Sequence, residues 1–183
     1  MTPFERTGGE TVFEGKTFSV HVDTFRHPDG EEVTREIVRR QGAVAVVAYD
    51  DEHVWLVRQP REAIGRADLP ELPAGKLDVE GEAPLDAAKR ELAEEIGRDA
   101  ASWDEVAVYY PSSGYTDEEV RIYAATGLTE TADTEPDPGE RIEIARWPLD
   151  DLDGAIAACH DAKTIIGLQW LRARRVAPGR PPA

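Results

Sequence analysis

The chain has 183 residues, 40% of them apolar. That is enough for one domain with a full core, and no run approaches the roughly 20 apolar residues of a membrane-spanning helix. Its 37 acidic residues against 21 basic give a formal charge of −16, a surface that repels nucleic acid and anionic lipid. A single cysteine, Cys159, excludes an intrachain disulfide framework and makes the cytoplasm the expected location. The opening residues Met1–Arg6 carry no basic segment followed by an apolar run, so no signal peptide is expected. So acidic a surface suggests adaptation to a high-salt cytoplasm, the alternative being a merely acidic protein.

In chain order, Thr11–Arg39 reads as a strand-rich element. Phe13, Phe18, Val20, Val22 and Phe25 supply β-formers, and His27-Pro28-Asp29-Gly30 marks a turn. Ala43–Tyr49 is a short continuous apolar run, as in a buried strand; Asp50-Asp51-Glu52 turns it into a second strand, His53–Gln59. Arg61–Pro73 reads as a loop. Pro84 opens a helix to Ile96, with Gly97 as its stop. Strands are expected at Val106–Tyr110, Glu119–Thr126 and Ile142–Trp147, with loops at Pro111–Asp117 and Thr129–Glu140. Helices are expected at Leu149–Cys159 and Lys163–Arg175, and a frayed tail from Pro178. This order fits an α/β sandwich, a mixed sheet with helices on both faces.

The helix after Pro84 carries the chemistry. Leu85, Ala88, Leu92 and Ile96 form one apolar stripe, while Glu91, Glu94 and Glu95 share another face. Those carboxylates repel one another and sit toward the helix C-terminus, where the macrodipole disfavours anions. Folding alone gives no reason for this. One reading is a solvated acidic face; the other is a site for a hard divalent cation, which takes oxygen ligands.

The wider pattern runs Gly75, Glu82, Arg90-Glu91-Leu92-Ala93-Glu94-Glu95-Ile96-Gly97. It resembles the Nudix box, Gly-x5-Glu-x7-Arg-Glu-apolar-x-Glu-Glu-x-Gly-apolar. There are two departures: one extra residue between Gly75 and Glu82, placed at Asp78-Val79-Glu80, and Arg98 at the last apolar position. The resemblance implies metal ligation by Glu91, Glu94, Glu95 and the carbonyl of Ala74. Arg90 and Glu82 would orient those ligands. The implied cofactor is Mg²⁺, with Mn²⁺ as an alternative.

The flanks look like the ADP-ribose pyrophosphatase subfamily: Gly42–Val46, Arg58-Gln59-Pro60-Arg61, Glu71-Leu72-Pro73-Ala74-Gly75-Lys76, Pro111–Glu118 and Asp161-Ala162-Lys163-Thr164. The implied reaction is hydrolysis of a nucleoside diphosphate derivative, ADP-ribose giving AMP and ribose 5-phosphate. Arg61 would hold the phosphate end. Ser112, Ser113 and Gly114 would line the ribose-phosphate side, and Arg35 would lie near the nucleotide. Glu118 and Glu140 are the acidic candidates for the remaining catalytic contacts. The resemblance also implies a homodimer in which the N-terminal strands help build the adenine site. The expected organisation is an N-terminal β element, 1–40, a hydrolase domain, 41–177, and a tail, 178–183.

Rival chemistries have little support. His21, His27, His53 and His160 are scattered, no Gly-x-Ser-x-Gly occurs, and zinc-ligand spacing is absent. The alternatives are another nucleotide sugar as substrate, such as a GDP-hexose or ADP-glucose, and a ligand sensor without turnover. Sensors of this fold usually lose box glutamates, and here all are present.

Overall fold

The computed structural model describes residues 4–131 and 141–176. They divide into two compact units: the N-terminal stretch through Gly42 with Tyr109–Glu119, and Ala43–Val108 with Val120 to the last helix.

In the first unit, β1 (Glu5–Glu14), β2 (Ser19–Arg26) and β3 (Glu32–Arg39) form an antiparallel sheet in that order. The turn at His27–Gly30 closes as the sequence predicts, with the Gly30 N–H donating to the His27 carbonyl at 2.9 Å. The first strand begins six residues before the expected Thr11. Its polar start, Glu5–Glu10, is held by pairing and charge rather than by apolar alternation. Asp23 is fully buried and accepts from Arg6 Nη2 and Arg39 Nη2, each at 2.7 Å, so one carboxylate pins all three strands. The Arg6 hydrogen bond, with that of Arg39 and both charges, overcomes burial and holds the Asp23 carboxyl down at about 2. The 109–119 segment joins this unit through the Val38 N–H, which donates to the Tyr115 carbonyl at 2.7 Å, and through Asp117, which accepts from Arg39 and from the Arg40 N–H.

The second unit is built on β4 (Ala43–Tyr49), β5 (His53–Arg61), β6 (Arg66–Glu71), β7 (Ala74–Lys76), β8 (Arg98–Tyr109), β9 (Val120–Glu130) and β10 (Glu143–Pro148). The strand order is β10-β5-β4-β9-β8, with β6 on β5 and β7 on β4. The β4–β9 pair is parallel and the β4–β5 pair antiparallel, so the sheet is mixed. Successive β4 side chains point to opposite faces. Val44, Val46 and Ala48 pack with Ala87, Ala88, Leu92 and Ile96 of α1 (Pro84–Ile96). On the other face Val47 and Leu72 press against Gly167 of α3 (Ala162–Val176), where Leu168 and Leu171 are buried. Both faces of β4 are therefore covered, which is why its sequence is apolar without alternation. The α/β class with helices on both faces is what the structure shows.

Local expectations needed correction. Arg61–Pro73 is not a loop: a 3₁₀ turn, Glu62–Ile64, leads into β6, and β7 follows. Arg-Ala-Asp-Leu-Pro-Glu lacks alternation, and its pairing with β5 supplies the order that propensity does not. The strands β8 and β9 extend well beyond the segments expected, so Thr129 and Glu130 close β9 rather than open a loop. The expected loop through Glu140 otherwise lies largely outside the described residues. The helix expected from Leu149 begins as a 3₁₀ turn and becomes α2 (Leu152–Ala158). No helix among the described residues is long and apolar enough to cross a membrane.

Candidate active site

The edge of β4 is divided. Ala48 and Tyr49 pair with β5, whereas Ala43, Val44 and Ala45 pair with Lys76, Gly75 and Ala74 of β7. The Val46 N–H also donates to the Pro73 carbonyl at 2.8 Å. This inserted strand carries Ala74 and Gly75 to the acidic face of α1.

α1 starts at Pro84, whose missing N–H costs nothing in the first turn, and ends on Gly97 in the left-handed region at φ 63°. Ala88, Leu92 and Ile96 are buried on the sheet, and Leu85 packs beside them. Seating that stripe fixes the glutamate face. Glu95, 4% exposed, accepts the Ala74 N–H at 2.9 Å. Glu91 lies so close to β7 that a Cβ on Gly75 would come within 1.9 Å of its carboxylate carbon. The box glycine is required by this approach.

Arg90 gathers the other carboxylates. Its Nε and Nη2 donate to Glu82 at 3.1 Å each, and its Nη1 donates to Glu91 at 2.7 Å and Glu94 at 3.0 Å. The Glu82 hydrogen bonds, then the charge and hydrogen bonds of Glu91 and the hydrogen bond to Glu94, raise the guanidinium pKa against the opposing effect of burial. The extra residue before Glu82 is absorbed in a turn. The Glu82 N–H donates to the Val79 carbonyl at 3.1 Å with Gly81 at φ 80°, a type II pattern, and Glu82 still reaches Arg90. Arg98, the second departure, stacks its guanidinium 4.6 Å from the Trp55 ring centroid and pairs with Glu130 at 3.2 Å.

As they stand, no three His, Cys, Asp or Glu side chains among the described residues form a ready metal cage. The reason is local: Glu91 and Glu94 are turned onto Arg90, and Glu95 onto the Ala74 N–H. The donor set nonetheless fits a hard divalent cation. It offers three carboxylates on one helix face, with Glu91 filling the space a side chain on Gly75 would take.

A second cluster lies at the start of α3. Glu71, 1% exposed, accepts from Arg61 Nε at 2.6 Å and Nη2 at 2.8 Å, and from Lys163 Nζ. Burial alone would push the Glu71 carboxyl up. The hydrogen bonds and charges of Arg61 and Lys163 more than offset this and hold it below its ordinary value. Asp161 accepts from the Thr164 N–H and Oγ1 at the helix start and pairs with Lys163 at 3.1 Å, while Thr164 Oγ1 accepts the buried Leu72 N–H at 2.9 Å. The hydrogen bond to Glu71 leads in raising the Arg61 pKa, with smaller contributions from the charges of Asp161 and Glu95, so the guanidinium lies in the field of the acidic helix. Sequence reasoning assigned no role to Glu71, Asp161, Lys163 or Thr164. The signal was the pair of short flanking motifs, which the fold brings together.

The remaining predicted residues lie elsewhere. In the first unit, a cavity of about 430 Å³ is lined by residues that include Phe4, Phe25, Val33, Arg35, Ser113 and Gly114. Ser112 turns this loop, its carbonyl accepting the Tyr115 and Thr116 N–H groups at 3.0 Å. Glu118 pairs with Arg40 at 3.5 Å. Glu140 lies outside the described residues.

Comparison with known proteins agrees with this reading. Residues 39–167 match the NUDIX domain model. An ADP-ribose pyrophosphatase of Mycobacterium tuberculosis is 46% identical over 145 residues, covering 79% of this chain and 70% of that one. One from Bacillus subtilis is 36% identical over 167 residues, covering 89% of each chain. A methanol dehydrogenase activator of Bacillus methanolicus is 34% identical with the same coverage. A crystal structure of an ADP compounds hydrolase superposes with a TM-score of 0.85 at 24% identity, over 99% of this chain and 98% of that one, a likeness of fold. Members of this family generally use divalent metal ions. The match over most of the chain, the intact spacing from Glu82 to Gly97 and the seating of Glu91 against Gly75 lead to one conclusion: this chain belongs to the Nudix family.

Proposed function

We propose that this chain hydrolyses the pyrophosphate bond of ADP-ribose with Mg²⁺, giving AMP and ribose 5-phosphate. The observation that carries the chemistry is the carboxylate cluster of α1, held by Arg90 and by the Ala74 N–H. The substrate is favoured by the identity with two ADP-ribose pyrophosphatases.

Glu91, Glu94 and Glu95, with the Ala74 carbonyl, would hold the cation. When bound, a divalent cation supplies charge to the diphosphate oxygens and lowers the pKa of its water. Arg90 keeps Glu91 and Glu94 from repelling each other and sets their rotamers. Glu82 holds Arg90 from the far side. Arg61 takes a phosphate oxygen. Arg35, Ser112, Ser113 and Gly114 serve the nucleoside and ribose, and the apolar cavity beside Arg35 has the aromatic lining a base would use. Glu118 is a candidate for the remaining proton transfer, with Glu135 and Asp137 as alternatives, and Glu140 would be a further metal contact. We place the enzyme in the cytoplasm as a homodimer. The exposed Phe4, Val12, Phe13 and Phe18 of the N-terminal sheet are the apolar surface such a contact would cover.

The test is ADP-ribose hydrolysis with and without Mg²⁺ by wild type and Glu95→Gln, beside ADP-glucose and a GDP-hexose. The expected result is a loss of several orders of magnitude in a variant that still folds. Near-normal turnover by Glu95→Gln would overturn the metal assignment. ADP-ribose ranking far below the other sugars would overturn the substrate.

A further inference from the structure

We propose that Glu71 is a positioning residue that fixes Arg61 by one edge so that the other edge faces the substrate's phosphate. This rests on the reading of Arg61 as a phosphate contact.

The geometry is one-sided. Arg61 spends Nε and Nη2 on the two oxygens of Glu71, and its Nη1 has no hydrogen-bond partner among the described residues. The Glu71 side chain is 1% exposed and that of Arg61 42%. The inner edge of the guanidinium is therefore buried on a carboxylate while the outer edge stands in solvent. A long arginine free in solvent would lose rotamer entropy on meeting a ligand; this one has already lost it. A paired donor edge is also what a phosphate takes from a guanidinium.

The carboxylate is itself held from several sides. Lys163 Nζ reaches the oxygen that Nη2 uses, and Lys163 also pairs with Asp161. The neighbouring Leu72 N–H is fixed by Thr164. Glu71 thus cannot swing out to follow Arg61, and Arg61 must come to it. A register shift in the β5–β6 pairing falls between Gln59 and Arg61, where β5 departs from regular alternation just before this side chain. A surface ion pair would need neither a buried carboxylate nor a second cation. The two cations and two carboxylates balance, so the cluster adds no net charge. It contributes direction.

The experiment is a double-mutant cycle on kcat and KM for ADP-ribose with Mg²⁺, using Arg61→Ala, Glu71→Gln and both, with melting temperature alongside. Ile122→Val is the structural control, since it trims a fully buried core side chain of β9 that takes no part in the Arg61 cluster. The expected result is a KM raised at least about tenfold by Arg61→Ala and by Glu71→Gln, with no further rise in the double variant. Ile122→Val melts earlier while its KM stays within about twofold. If Arg61→Ala raises KM and Glu71→Gln does not, the inference is overturned and the phosphate reading of Arg61 stands. If Arg61→Ala leaves KM unchanged, both fall, while the metal reading remains tested separately by Glu95→Gln. A wild type inactive on ADP-ribose overturns the substrate assignment alone, and the cycle is then read on whichever diphosphate the panel selects.

Discussion

Replacing Gly75 by alanine separates the site from the fold. Gly75 is not among the glycines with positive φ, so the backbone accepts alanine without strain. The obstacle is the Glu91 carboxylate, whose carbon lies 1.9 Å from the added Cβ. Ordinary contact begins at about 3.4 Å, so the carboxylate must retreat by roughly 1.5 Å. Being the end of a flexible side chain, it can do so. The retreat weakens one partly buried hydrogen bond to Arg90, worth about 1 kcal/mol. The lost freedom of the unfolded chain returns about 0.4–1 kcal/mol. Stability should therefore change by less than about 1 kcal/mol, or roughly 2–4 °C for a chain of this size. Activity should not survive as well, because a displacement of about 1 Å in a catalytic group can cost about 100-fold in rate. The assay pairs a melting curve with Mg²⁺-dependent ADP-ribose hydrolysis. A variant that melts normally and keeps more than about a tenth of kcat would refute the close seating of Glu91 on β7 as a working feature.

Three further outcomes follow from the same structure. Thr164→Val keeps the shape but leaves the Leu72 N–H buried and unmatched, so the denaturation midpoint should fall by the equivalent of about 1–3 kcal/mol; an unchanged midpoint would remove Thr164 from the cluster. Asp23 has a folded value near 2 against an ordinary 3.8. Its folded pKa is depressed, so its stabilisation is complete above about pH 4 and disappears as pH falls toward 2. Asp23→Asn should flatten the acid limb of a stability–pH profile in that window, and an identical limb in both proteins would contradict the assignment. The charge of −16 leads us to expect stability that rises from dilute buffer to molar salt; equal stability in both would leave an acidic protein with no salt adaptation.

The α/β class, the seating of α1 and the hairpin of β4 and β5 were legible because each rests on a local pattern: a stripe at helical spacing, an unbroken apolar run, a proline and a glycine at the helix ends. The strands β6 and β7 were not. Their order comes from pairing with β5 and β4, and nothing in Arg-Ala-Asp-Leu-Pro-Glu or Ala-Gly-Lys announces a strand. The site divided in the same way. Arg90, Glu91, Glu94 and Glu95 fall within six consecutive residues of one helix, and Glu82 precedes that helix at a fixed spacing, so sequence could group them. Glu71 meets Lys163 across 92 positions, and only the two flanking motifs hinted that both mattered. The resemblance marked Gly75 and Glu91 as parts of one motif, but their close approach, a steric one, needed coordinates.

Charge explains why such a site suits an anionic substrate at all. Around Arg90 stand four carboxylates, Glu82, Glu91, Glu94 and Glu95, against one guanidinium, a formal excess of three negative charges. The Arg61 cluster cannot relieve it, because Arg61 and Lys163 are matched by Glu71 and Asp161. Left so, the face would repel a diphosphate, as the whole surface of this chain would. Cations reverse the sign: each divalent ion supplies two charges, and a pair would carry the face past neutrality. The excess is too large for Arg90 to satisfy alone, so under the proposed function Arg90 would fix the glutamates in place and still leave charge for a cation. A fully neutralised cluster would have been more stable and would have had no use for a metal. The unbalanced carboxylates at the unfavourable end of α1 are thus the feature that folding alone does not explain and that the proposed cation binding would.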